Sequence, residues 1–272
     1  MRLAFCSLVV ISFALLLCAS ALCDFVPEPN GAEFGLEDGE TIAGIPGNPV
    51  EIDGKLDDWK HAVWIAFDSE ADMLRGQEVW QGVGDLSVVW STMYDGENFY
   101  FAAAVTDDMF TPTPDAAQPW LGDCIFLFID WENAEAGISS KPNFALLDDM
   151  ATVTDFSGDL NPQLGESEIA IVPNEALGEA GMVYEVAMPF DFLTTVAITE
   201  GSEIGFTPGY EEGTDDMEGK SGMVFMDWRG LNPDEPANLG KLIFGGLQAT
   251  TTALEPSGKL TATWGAIKVN YP

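Results

Sequence analysis

Positive charge is what this chain has least of. Ten Lys and Arg stand against 45 Asp and Glu, a formal charge of −35 over 272 residues. A field of that sign repels nucleic acid and anionic lipid, so neither is expected as a main partner, and it favours divalent cations. Histidine occurs once, as His61. This removes zinc sites built on several imidazoles and leaves little for a Ser–His–Asp triad. Cysteine is as scarce: Cys6, Cys18 and Cys23 sit at the N-terminus and Cys124 stands alone. No disulfide framework is expected, and Cys124 reads as a small core hydrophobe. A sustained helical period is missing throughout, and after the N-terminus no apolar run is long enough to span a bilayer. There is no phosphate-cradling glycine loop. Glycosidases need two carboxylates flanking a bond, but with 45 acids the presence of a pair decides nothing.

What is present begins with a leader. One Arg precedes an apolar stretch from Leu3 to Leu17, and small residues follow at Ala19 and Ala21. This describes a secretory signal peptide over residues 1–23, cleaved after Ala21 or after Cys23. A lipid anchor on Cys18 or Cys23 is the alternative, although Leu precedes each cysteine where lipoprotein processing wants a small residue. The protein is therefore expected to be secreted, periplasmic or held at the cell surface. Residues 24–48, rich in Pro, Gly and Glu, read as a flexible lead-in. A domain of residues 49–246 follows, and a tail over 247–272 has no role readable from its residues.

The domain is organised around Gln118–Asn133. Its centre, Cys124 to Ile129, is an unbroken apolar run with Asp123 and Asp130 at its ends. The run is short for a helix and rich in Ile and Phe, so it reads as a strand buried on both faces. Trp120 follows Pro119 on a loop at its entrance, an unusual place for a core indole. Leu86–Met93 and Asn98–Val105 flank Asp95-Gly96 and predict a hairpin. Further strands are expected at 144–147, 151–154, 168–172, 182–188, 204–207, 223–227 and 241–244, with a short helical turn after Pro189. Many short strands with almost no helix predict an all-β fold, an antiparallel β-sandwich of jelly-roll type.

Two chemistries suit these residues. Trp120 can serve as a platform for a ligand, while Trp59, Trp64 and Trp90 read as core or rim. Asp107, Asp123 and Asp130 are hard oxygen donors on loops, which suits calcium; turn and cap hydrogen bonds compete for the same side chains. The run Glu211-Glu212-Gly213-Thr214-Asp215-Asp216 also invites calcium but lacks the spacing of a helical calcium loop.

An ordered set of residues resembles the family 9 carbohydrate-binding modules, sugar-binding β-sandwiches often attached to secreted xylanases. It comprises Ile52-Asp53-Gly54-Lys55-Leu56-Asp57, Val89-Trp90, Asn98-Phe99-Tyr100-Phe101, Val105-Thr106-Asp107, Pro119-Trp120, Asp123 and Phe128-Ile129-Asp130. Tyr184 to Pro189, Ile204-Gly205-Phe206 and Leu239-Gly240-Lys241-Leu242 complete it. The resemblance implies a sugar held between two tryptophans, polar side chains on its hydroxyls, and calcium bracing the loops. Trp120 falls on the first tryptophan. Three positions depart from the pattern: Phe126 replaces a Glu that meets the sugar, an apolar residue near Phe144 replaces an Arg, and Pro233 stands about where the second tryptophan belongs. Trp228, upstream of a shortened loop, is then the candidate second wall; packing on the sandwich is the competing reading.

The expected function is a secreted, non-catalytic domain that binds mono- or oligosaccharide and is linked to polysaccharide breakdown. Trp120, Trp228 and Asp107 are its candidate ligand-binding residues. Asp107, Asp123 and Asp130 are its candidate calcium ligands. Two alternatives remain from other classes: a haem-binding electron-transfer sandwich using some of the ten methionines, and an extracellular interaction domain that has lost its sugar.

Overall fold

The computed structural model describes residues 25–115, 117–155, 166–213 and 224–247. The leader, the tail beyond Leu247 and Thr214–Asp216 of the acidic run lie outside the described residues.

Among the described residues thirteen strands build the domain. In chain order β1 to β5 are Glu40–Ile45, Ile65–Phe67, Met73–Arg75, Leu86–Tyr94 and Asn98–Asp107. β6 to β9 are Cys124–Asp130, Pro142–Leu147, Met150–Asp155 and Glu168–Pro173. β10 to β13 are Met182–Pro189, Glu203–Glu212, Val224–Asp227 and Gly240–Leu247. One helical turn, α1 (Phe190–Leu193), follows Pro189 as expected.

The strands form two layers joined at one strand. One layer runs β8-β7-β6-β11-β13-β1, with β12 and β3 attached beside β11; the other runs β1-β4-β5-β10-β9, with β2 on β4. β1 pairs in parallel with β13 through Glu40–Ala43, then with β4 at Gly44. A register shift between Ala43 and Ile45 marks the bend that carries it from one layer to the other. The other strand pairings are antiparallel. The result is a β-sandwich curled toward a barrel. The segment read as a flexible lead-in thus contains the strand that closes the two layers. Its Thr-Ile-Ala-Gly-Ile is short and carries no polar alternation of its own, because both neighbours supply the partners.

Between the layers, period-2 rows interdigitate. Val88 and Trp90 of β4, Phe99 and Phe101 of β5, Ile125, Leu127 and Ile129 of β6, Tyr184 and Val186 of β10, and Phe206 and Tyr210 of β11 share one core. Both outer faces are covered as well. Trp59, Trp64 and Leu56 lie over Ala102, Ala104 and Val183. Glu185 anchors that cover: its carboxylate accepts the Trp59 indole N–H at 2.8 Å and the backbone N–H groups of Gly54 at 2.6 Å and Asp53 at 3.2 Å. Gly54 sits at φ +81°, a left-handed turn that a side chain would strain. The Asp53-Gly54 signal and Trp59 are therefore one device that docks the N-terminal segment onto β10.

On the other layer, Cys124, Phe126 and Phe128 of β6 face outward into a third apolar cluster with Phe225 and Leu239. Every residue of β6 is buried, which explains its unbroken apolar run.

Candidate functional site

The third cluster is the floor of a cleft of about 340 Å³ on the outer face of the first layer, within the range of small-ligand sites. Trp120, Phe126, Phe128, Lys141, Glu211 and Phe225 line it, with Arg75 from β3 and the Asn232-Pro233-Asp234 loop at its rim. Strand alternation explains the set. On β6 the odd-numbered Ile125, Leu127 and Ile129 point inward, so Phe126 and Phe128 point outward. Glu211 lies across from Cys124 on β11 and faces the same way.

Two cations roof the aromatic floor. Lys141 Nζ lies 4.6 Å from the Phe128 ring centre and 5.7 Å from that of Phe126, and the Arg75 guanidinium lies 5.4 Å from Phe225. Each is a cation–π distance. Lys141 also donates to Asp234 at 2.6 Å, and Arg75 pairs with Glu211. Beneath this roof Phe126, Phe128 and Phe225 are at most 6% exposed. Trp120, in a 3-10 turn Pro119–Leu121, remains half-buried and is the indole at the cleft. The arrangement offers an apolar ring face flanked by donors and acceptors, which suits a ligand with C–H faces and hydroxyl edges.

The placement of the expected residues is mixed. Trp120 lines the cleft. Trp228 does not face it: β12 sends Val224 and Met226 inward, Trp228 just past its end joins the same core, and the indole meets Trp90 edge-on at 5.0 Å. A Cβ on Gly240 would lie 2.4 Å from the Trp228 ring, so that glycine is what admits it. The outward residue of β12 is Phe225, and Pro233 occupies the rim. The residue paired with Phe126 on β7 is Asn143 rather than an apolar one, and Lys141, two residues earlier, reaches over the rings. Asp107 is buried away from the cleft lining. Lys141, Arg75, Asn232 and Asp234 carry no local signal, and Glu211, part of the run that invites calcium, lines the cleft instead; the set comes from four separate segments that only the register brings together.

Asp107 and Asp123 instead meet at one end of the sandwich, where the core rows run out into carboxylates. Asp107 ends β5 and accepts from the Tyr210 hydroxyl at 3.2 Å and the Met109 N–H at 2.8 Å. Asp123 precedes β6 and accepts from Thr111 N–H at 2.6 Å and Gly213 N–H at 2.5 Å. It thereby ties the loop bearing Trp120 to the end of β11. Beside them, oxygens of Asp85, Asp108 and Glu212 lie within 4.8 Å of one another. Among the described residues none of these five carboxylates shares an ion pair with Lys or Arg. Burial, and then the charge of Asp107, hold the Asp123 carboxyl well above the usual range. Burial raises Asp107 as well, and burial with the charges of Asp107, Asp85 and Asp108 pushes Glu212 up to about 8. An all-oxygen, uncompensated donor set fits a hard divalent cation.

Asp130 belongs elsewhere. At the far end of β6 its carboxylate accepts from the N–H groups of Glu132, Ala134 and Glu135 at 3.3, 2.9 and 2.9 Å. It caps a turn at the opposite end of β6 from Asp123, the role that competes with calcium for this side chain.

Fold and cleft together define a β-sandwich of the small-ligand-binding class. Residues 52–247 match the family described as carbohydrate family 9 binding domain-like, and the chain belongs to that family. Among solved structures it is similar to a family 9 carbohydrate-binding module from Caldicellulosiruptor kristjanssonii in complex with cellotriose. Identity is 17% and the TM-score 0.54, over 81% of this chain and 100% of that one. The module from that organism in complex with glucose matches at the same identity and TM-score, over 76% and 96%. No curated protein matches the chain.

Proposed function

We propose that this protein is a secreted, non-catalytic carbohydrate-binding domain that holds a mono- or oligosaccharide in the Trp120 cleft and serves polysaccharide breakdown. The observation that carries the reading is the cleft itself: an indole above a phenylalanine floor, ringed by Arg75, Glu211, Lys141, Asn232 and Asp234. Membership of the family and likeness to sugar-complexed modules support it. One face of a pyranose would rest on Trp120, and its hydroxyls would exchange hydrogen bonds with the ion pairs. The Glu and Arg that the resemblance implies are absent at their positions, yet the cleft still holds carboxylates and cations, delivered from β3, β11 and two loops.

Calcium completes the proposal. Asp85, Asp107, Asp108, Asp123 and Glu212 are the residues that would hold it. The ion would offset part of their charge and so fix the Thr111–Asp123–Gly213 knot from which the Trp120 turn hangs. The test is titration of the mature domain with xylo-oligosaccharides, cello-oligosaccharides and glucose, followed by heat and tryptophan fluorescence. Saturable heat with a fluorescence change is expected. A flat response to all three rejects the function.

A further inference from the structure

Among the described residues the charged side chains lining the cleft pair off by opposite sign. Arg75 is matched by Glu211 and Lys141 by Asp234, on a chain whose total charge is −35. The two pairs are built differently. The Glu211 side chain is 3% exposed beneath its Arg, whereas Asp234 is 62% exposed beside a Lys141 that is 19% exposed. Lys141 is further seated over two rings, so Asp234 is the partner free to move.

A charged ligand meets this arrangement badly. A ligand carboxylate would compete with Asp234 for Lys141 and leave two carboxylates side by side. A ligand ammonium would compete with Lys141 for Asp234 and face a like charge in its turn. Hydroxyls do neither, since each both donates and accepts; adjacent hydroxyls can bridge Nζ and a carboxylate oxygen while the ion pair stays closed. Specificity then comes as much from what the pair repels as from what it holds.

We propose that the Lys141–Asp234 pair grips neighbouring hydroxyls of the sugar and excludes uronic acids and amino sugars from the cleft. The inference rests on the carbohydrate reading above and adds the pair of residues that discriminates among sugars by charge.

The experiment compares glucose, glucuronate and glucosamine by calorimetry at about pH 6, where the carboxylate and the ammonium are both charged. Wild type is expected to bind glucose at least about tenfold more tightly than either charged sugar. Asp234→Asn leaves Lys141 without its ion partner and should narrow the glucose–glucuronate gap several-fold. Lys141→Gln should narrow the glucose–glucosamine gap. Melting curves of both variants accompany the titrations; if Lys141→Gln does not fold, Asp234→Asn on its exposed loop decides. Glucuronate or glucosamine binding wild type as tightly as glucose overturns the inference, as do gaps unchanged in the variants, and the carbohydrate reading survives both results. Silence toward all three sugars and toward the xylo- and cello-oligosaccharides overturns that reading and this inference with it.

Discussion

Removing calcium should loosen the fold, and the carboxylate end of the sandwich sets the size of the effect. Glu212 titrates at about 8 instead of 4.5, because of burial and the charges of Asp107, Asp85 and Asp108. Between those values the folded state keeps a proton that the unfolded state has lost. Stability from this group is therefore full at low pH and gone once pH rises through about 8. At roughly 1.4 kcal/mol per pKa unit, discounted for the solvent that reaches the cluster, ionising Glu212 in the ion-free protein costs on the order of a few kcal/mol. A divalent cation among the oxygens reverses the sign of that electrostatic balance. At a hundredfold excess over its dissociation constant it contributes about 2.7 kcal/mol. For a domain of this size that is a rise of roughly 5–11 °C in melting midpoint. The assay is thermal melting at about pH 6 and pH 8, with calcium and with chelator. In chelator the midpoint should fall from the lower to the higher pH, and calcium should recover it. Glu212→Gln should remove much of the slope and much of the gain. Identical midpoints with calcium and chelator at pH 8 would rule out a stabilising calcium site among these carboxylates.

Three further outcomes separate the core from the cleft. Trp228→Ala should destabilise by about 3–5 kcal/mol in denaturant melts while sugar affinity, measured below the transition, stays within about twofold, because that indole packs on Trp90; a lost affinity with intact stability would return Trp228 to the site. Glu185, raised to about 7 by burial, favours the folded state below its unfolded value and loses that advantage as pH rises to neutrality. Glu185→Gln should flatten the stability slope between about pH 5 and 7 in urea unfolding, and an unchanged slope contradicts the assignment. The purified protein should show no haem absorption in the visible range; a Soret band would favour the electron-transfer alternative.

The sandwich was legible because its signals are local. Asp95-Gly96 announces the β4–β5 hairpin, the apolar run of β6 announces a strand covered on both faces, and Pro189 announces the end of β10. β1 was hidden because its pairing partners lie some 50 and 200 residues downstream, at Met93 and at Lys241–Phe244. The site divides in the same way. Trp120 could be found from its own surroundings, a loop indole after a proline. Lys141, Arg75 and Asp234 could not, since nothing in their local sequence says that β3, β7 and the loop after β12 converge on Phe126 and Phe128. Trp228 was misplaced for a reason of parity: on β12 one step along the chain exchanges the cleft face for the core, and Phe225 holds the outward position. The same parity divides Glu211 from Glu212, giving one carboxylate to the cleft and the next to the acidic cluster.

The most direct test of the central claim follows the tryptophan indole N–H signals by NMR while cellotriose is added. The Trp120 signal is expected to move saturably, with Lys141, Glu211 and Asn232 backbone signals, while those of Trp59, Trp64, Trp90 and Trp228 hold still. Shifts confined to another face of the sandwich, or a motionless Trp120 indole under saturating sugar, would contradict it.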